Sequence, residues 1–209
     1  MNKIRKVLFL WLLLLPFSLW ARGLSFSEEM HGYAYYQGEF RNASVYLKVV
    51  INDIDAWRAN PNVAASVTGT LNLDRISPQP INGTLQILAP APGQDGRLLT
   101  YRLASSTLQY VGVKHVRDNA GMDVVDDMTT LHGVFLPHGQ AAPTIYDLLY
   151  RAMWSSELHF EWWKPSVLLN FAGSFSTINT PWYEDLIVKI LFLKTVFGSL
   201  AREFFPWAV

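Results

Sequence analysis

The sequence predicts a mainly β fold, an antiparallel sandwich or open barrel with helices at its C-terminal end. Three observations carry that expectation. Between Ser44 and Val116 apolar residues recur at every second position in short runs, the period of a strand with one buried face. Turn residues separate those runs at roughly the 8–12-residue spacing of all-β domains. From Ala142 onward the apolar period lengthens to that of a helix.

Ser25–Met30 leads into an aromatic-rich first strand, His31–Tyr36. Ser44–Asn52 places Val45, Leu47, Val49 and Ile51 on one face. Asp53–Asn60 reads as a short helix capped by Asp53 and ended before Pro61. Ala65–Leu73 and Ile81–Leu88 alternate again, with Pro78–Pro80 as a break between them and Ala89–Gly96 as a turn. Gly69 and Gly83 hold matching places in those two runs, which predicts sheet curvature or close approach of another element. Leu98–Leu103 follows as a strand.

The centre of the chain is Leu108–Pro137, two strands (Leu108–Arg117 and Met128–Leu136) joined by an acidic, glycine-containing turn. The total comes to about seven or eight strands, a common number for a small sandwich or barrel. Pro143–Met153 then has Ile145, Leu148, Leu149 and Ala152 at helical spacing, and Leu158–Trp162 reads as one more strand. Pro165–Phe175 is a short helix with Pro165 at its first position.

The last segment, Pro181–Val209, is mostly a helix of about six turns. Leu186, Ile190, Leu193, Phe197, Leu200 and Phe204 form its apolar centre line. Glu184, Asp185, Lys189, Ser199, Arg202 and Glu203 lie opposite, yet Val188, Phe192 and Val196 fall near that polar side.

The N-terminus sets the compartment. Lys3, Arg5 and Lys6 precede the apolar run Val7–Trp20, and Ala21 is a small residue where a peptidase needs one. That pattern predicts a secretory signal peptide over residues 1–21, with an uncleaved anchor as the alternative, and a periplasmic or secreted product. A β-rich domain over 22–180 and the helix of 181–209 would follow. The chain has no cysteine, which excludes thiol redox chemistry and cysteine-ligated metals. Without Lys3, Arg5 and Lys6, 14 basic residues face 17 acidic ones, a net charge of −3. No nucleic-acid partner is expected of such a surface.

No catalytic signature is complete. Asp118, Asp123, Asp126 and Asp127 offer hard oxygen ligands, but turn formation explains the same residues. His31, His115, His132, His138 and His159 form no HExxH-type pair, and His159, between Leu158 and Phe160, reads as a packed, hydrogen-bonded histidine. Gly173–Ser176 lacks the second glycine of a nucleophile elbow. The pairs Glu28–Glu29 and Asp126–Asp127 are adjacent in sequence, whereas acid–base work needs carboxylates converging on one pocket. No cofactor or metal is expected. The stronger signal is aromatic: Trp154, Trp162, Trp163, Phe171 and Phe175 are the candidate lining of an apolar ligand site. The same residues also suit a closed hydrophobic core.

Three stretches carry a resemblance: Phe26–Tyr33, Val113–Leu131 and Leu158–Thr177. They resemble an accessory region fused to large bacterial cholesterol-oxidase-like proteins of the glucose-methanol-choline oxidoreductase family. The pattern there runs F-x-E-x-M-x-G-(Y/F), then G-x-K-x-x-x-(D/N)-x-x-G-x-D-x-W-x-D-T-T-T-L. Gly112, Lys114, Asp118, Gly121, Asp123, Asp127, Thr129, Thr130 and Leu131 keep that order, while Val125 replaces the tryptophan and Met128 a threonine. The flavin-binding domain has no counterpart here, so no oxidase activity carries over. The resemblance implies a β-rich, sterol- or lipid-handling accessory module.

The expected function is therefore an exported, non-enzymatic binding module for a sterol or other lipid. A membrane surface or a partner protein would meet it at Pro181, Leu186, Ile190, Phe197 and Phe204. The rivals are an accessory subunit docking to an oxidoreductase or other envelope partner through the terminal helix, and a hydrolase assembled from scattered His, Asp and Ser side chains.

Overall fold

A computed structural model describes residues 21–60, 62–93, 95–117 and 124–204, and side chains to Leu200 except Ser199. Residues 1–20, all of the signal-peptide segment but Ala21, and residues 118–123 and 205–209 lie outside the described residues, as does the Phe204 side chain.

The protein is mainly β, and its sheet closes on itself. Strands β1 (Gly23–Tyr36), β2 (Glu39–Ile51), β3 (Ala65–Leu73), β4 (Ile76–Pro90), β5 (Arg97–Ala104), β6 (Leu108–Val116), β7 (Thr130–Pro137) and β8 (Ser156–His159) each pair antiparallel with the next. β1 then pairs with both β8 and β2, which completes an eight-stranded up-and-down barrel. A short β9 (Ser176–Ile178) adds to the start of β1. Closure removes the exposed sheet edges that an open sandwich would have to protect.

The period of two places one face of every strand inside. Val45, Leu47, Val49 and Ile51 are buried, as are Val67, Leu71 and Leu73, in the phase the alternation predicts. Gly69 and Gly83 lie where a side chain would run into the backbone carbonyls of Tyr46 and Arg102 on neighbouring strands, so the expected close approach occurs within the sheet itself. Tyr110 covers the paired glycines Gly112 and Gly133, and a Cβ on Gly112 would sit 2.7 Å from its ring. Met30, Val45, Tyr101, Tyr110, Val116, Leu131 and Leu158 have no solvent-accessible surface. No water-sized void touches any of them, so this part of the interior is a packed core rather than an open cup.

Several boundaries differ from the sequence expectation. β1 begins at Gly23 rather than His31 because β2 pairs along its whole length, from Leu24 opposite Ile51 to Tyr36 opposite Glu39. Pro78 and Pro80 do not break the chain. They lie in the part of β4 that only β3 flanks, where a missing N–H is tolerated. β4 also runs on to Pro90, shortening the turn after it. Met128 and Thr129 belong to helix α2 (Val124–Thr129), not to the strand that follows. The strand near Leu158 begins at Ser156 and ends at His159.

The short helices follow local chemistry. The Asp53 carboxylate accepts from the N–H groups of Asp55 and Ala56, starting α1 (Ile54–Ala59). Thr144 and Asp147 form a capping box at α3 (Ile145–Tyr150). Pro165 opens α4 (Pro165–Gly173), and α5 (Asp185–Phe204) closes the described chain.

Phe26 stacks on Phe175 at 5.3 Å, and Phe192 of α5 lies 5.5–5.8 Å from Trp57, Phe26 and Phe175. This aromatic plug seals the barrel where β1 begins.

Candidate functional site

Two features stand out from the packed barrel. The first is a buried polar group inside it. Glu28 points inward from β1 between Phe26 and Met30, and Lys114 points inward from β6 between Gly112 and Val116. Their side chains form a direct salt bridge, with Lys114 1% and Glu28 8% exposed. Tyr101 on β5 donates its hydroxyl to the other Glu28 oxygen at 2.8 Å, and Lys114 Nζ lies 5.5 Å from the centre of the Tyr101 ring. A charge inside a barrel is tolerated only when it is paired in this way.

Lys114 therefore pairs with Glu28; of the acidic turn, only residues from Val124 on are described. Within that turn Asp127 accepts the Arg117 N–H at 3.0 Å, a local turn contact. Two of the stretches that carry the resemblance, Phe26–Tyr33 and Val113–Leu131, meet at the Glu28–Lys114 bridge, which places Phe26, Glu28, Met30, Lys114 and Leu131 in the interior. Sequence reasoning set Glu28 aside as half of an adjacent carboxylate pair and did not single out Tyr101. The available signal was a carboxylate in the inward phase of an apolar strand.

Glu28 also forms part of a groove of about 330 Å³ that crosses β1, β2 and β3. Glu29, Tyr46, Lys48, Thr68 and Thr70 give it a polar side, and Phe160 with Val167, Asn170 and Phe171 of α4 lines the other. A second cleft of about 480 Å³, near the β3–β4 turn, is lined by polar residues including His31, Asn42, Asp74 and Arg75.

Burial, then the Glu28 carboxylate, holds the Tyr101 phenol well above its ordinary value, and burial raises Tyr110 as well. A raised phenol stabilises the fold fully below the unfolded value of about 10. That stability is lost as pH rises above it, because the unfolded chain releases protons the folded chain keeps. Tyr101 and Tyr110 are therefore expected to stay protonated in alkali while exposed phenols ionise. Phenolate absorbance followed with and without urea checks this; full ionisation of all nine tyrosines in the folded chain would contradict it.

His31, His132 and His159 gather outside the barrel. His159 Nε2 lies 2.9 Å from Glu157, His132 Nδ1 lies 3.8 Å from it, and His31 is register partner to His159. His159 is hydrogen-bonded as expected, but it is half-buried rather than packed in the core. Burial lowers the His132 pKa. Among the described residues no group of three or more His, Asp or Glu is arranged to hold a metal ion.

The second feature is the helical layer, and here the aromatic expectation divides. Phe171 and Phe175 come together in the plug with Phe26, but the tryptophans do not join them. Trp154 meets His132 at a tilt, with ring centres 4.5 Å apart, while Trp162 and Trp163 pack edge to face near the start of α4 and are exposed. Of the five, only Phe171 lines either of the two grooves described above. The reason is that β8 ends at His159, so Trp162 and Trp163 fall in the turn leading to α4 rather than on an inward strand phase.

α5 packs by the stripe that sequence reasoning placed near its polar side. Val188 is 0% and Phe192 6% exposed, and Val196 rests against the same core, joined there by Leu200 from the expected centre line. The expected centre line faces outward for most of its length: Leu186 is 66% and Phe197 62% exposed, with Ile190 and Leu193 between them. The helix is apolar on two sides, and the end of the barrel takes the i, i+4, i+8 stripe whose Phe192 fits among Trp57, Phe26 and Phe175.

Pro181 lies just before α5, followed by Trp182, 89% exposed, which meets Tyr183 edge to face at 5.9 Å. Charged groups near this start are paired: Arg22 with Glu184 at 3.1 Å, and Asp185 with Lys189 at 2.9 Å. No helix among the described residues is long and apolar enough to cross a membrane. No protein-family model, curated protein or solved structure matches the chain.

Proposed function

We propose that the chain is an exported, non-enzymatic β-barrel module that binds lipid, resting on a lipid surface by the outer face of α5. The observation that carries this reading is the exposed row Leu186, Ile190, Leu193 and Phe197, continued by Trp182 and Tyr183. Such a contiguous apolar face costs solubility unless something covers it. The packing of the barrel interior directs the apolar-ligand reading outward, to the helices.

The chemistry of the face favours a bilayer interface as its cover. Trp and Tyr rings suit the headgroup level, where one edge is wet and the other apolar. A helix turns 100° per residue, which sets Lys189 and Lys194 at about 70° on either flank of the stripe. Lysines there can lay their stems along lipid and raise their ammonium groups to the headgroups. The resemblance to a lipid-handling accessory region supports the same reading.

The test is flotation of the exported chain with vesicles of phosphatidylcholine and phosphatidylglycerol. The wild type is expected to float, and a variant carrying Leu186→Asp, Ile190→Asp and Phe197→Asp to remain in the soluble fraction with an unchanged melting temperature. A wild type that ignores vesicles but loses a co-purifying protein through the same substitutions would replace this reading with that of a docking subunit.

A further inference from the structure

We propose that the cleft beside the β3–β4 turn binds a neutral oligosaccharide, a site and a ligand separate from the lipid-surface reading. Among its lining residues His31, Ser44 and Asn72 are register partners across three strands, in the outward phase that alternates with buried Ala43, Val45, Leu71 and Leu73. Asn42 and Asp74 lie beside them, and the lining holds itself in place. Asn42 Nδ2 donates to Asp74 Oδ2 at 2.9 Å, and Asn72 Nδ2 donates to the Ser44 hydroxyl at 3.2 Å. The Asp74 N–H donates to the Asn42 main-chain carbonyl at 2.9 Å, which pins the turn to β2.

These bonds leave capacity for a ligand. Each amide spends one N–H on its neighbour and keeps its side-chain carbonyl, while the Ser44 hydroxyl accepts and still has its own proton to donate. Asp74 and Arg75, the two formal charges of the lining, balance. Beside them Glu39 and Arg41 balance as well, with Glu39 meeting Arg75 at 3.0 Å and Arg41 at 3.4 Å. Donors and acceptors side by side, with no surplus charge among them, match hydroxyl groups, which donate and accept at once. They give an ion no advantage.

Aromatic rings flank this polar lining. Tyr33 is the register partner of Asn42, and Phe40 meets the Tyr33 ring at 6.3 Å and the Tyr35 ring at 5.2 Å, both edge to face. Along β2, Tyr46 lies beyond Ser44 and meets His31 edge to face at 6.1 Å. Phe40 is 75% exposed, so burial in the fold does not account for it. The C–H face of a pyranose packs on such rings while its hydroxyls reach the polar groups beside them. At about 480 Å³ the cleft is within the range of small-molecule sites. A peptide added as a strand is disfavoured, because β1, β2 and β3 each have a strand on both sides and present no free edge. The cleft lies toward the β1–β2 turn, whereas α5 packs at the start of β1, so a saccharide can be held without involving α5.

The experiment is calorimetry of the purified chain with cellotetraose, chitotetraose and maltotetraose as neutral probes and tetragalacturonate as the anionic control. At least one neutral probe is expected to bind, one per chain and at least tenfold tighter than the control. The double variant Asn42→Ala, Asn72→Ala and the single variant Tyr33→Ala are each expected to weaken that binding at least tenfold. All three side chains stand on the outward phase, so both variants are expected to keep the wild-type melting temperature. Failure of every neutral probe to bind, equal binding of tetragalacturonate, or undiminished binding by either variant would overturn the proposal. Saccharide binding and vesicle flotation are read separately, so either reading can fail without the other.

Discussion

Lys114→Met is expected to destabilise the barrel by about 3–5 kcal/mol, since it leaves the Glu28 carboxylate buried without its counter-ion. The ammonium is fully enclosed, so water cannot replace it without opening the barrel. The pair itself contributes far less than that loss, because both charges were desolvated to form it. Combining Glu28→Leu, Tyr101→Phe and Lys114→Met is therefore expected to recover most of the stability. The Tyr101 change is needed because its hydroxyl would otherwise lose its acceptor, at a cost of about 1–3 kcal/mol. Urea unfolding of the single and triple variants measures both quantities. A single variant within about 1 kcal/mol of wild type would mean that the Glu28 carboxylate is solvated rather than dependent on Lys114.

Phe192→Ala is expected to cost about 3–5 kcal/mol, whereas Phe197→Ala should stay within about 0.5 kcal/mol. The residues lie five positions apart on one helix and differ only in what they meet. Phe192 lies among Trp57, Phe26 and Phe175, and its loss opens a cavity in the plug. Phe197 faces solvent. Thermal unfolding of the two variants decides the orientation of α5. The reverse order would mean that the helix packs by its broad stripe, and the exposed face behind the proposed lipid contact would then not exist.

Much of the fold was legible in local sequence. The alternation in Ala65–Leu73 matches β3 residue for residue, and Asp53 and Pro165 start helices where their side chains dictate. Pro78 and Pro80 misled because a proline's effect depends on whether a second strand lies beside it, and sequence does not show the neighbour. The site was less legible. Glu28 and Lys114 are 86 residues apart, and nothing local to either identifies its partner.

What the sequence determined by itself was the class of the protein and the phase of its strands. Side-chain period, cap residues and turn residues are local quantities, so they survive without a structure. Tertiary structure decided three things: closure of the sheet, the partner of each buried charge, and which apolar side of α5 the barrel takes. Each depends on shape and charge complementarity between segments distant in sequence. For α5 the physical reason is specific: its two apolar stripes are alike in composition, and only the socket around Phe192 distinguishes them.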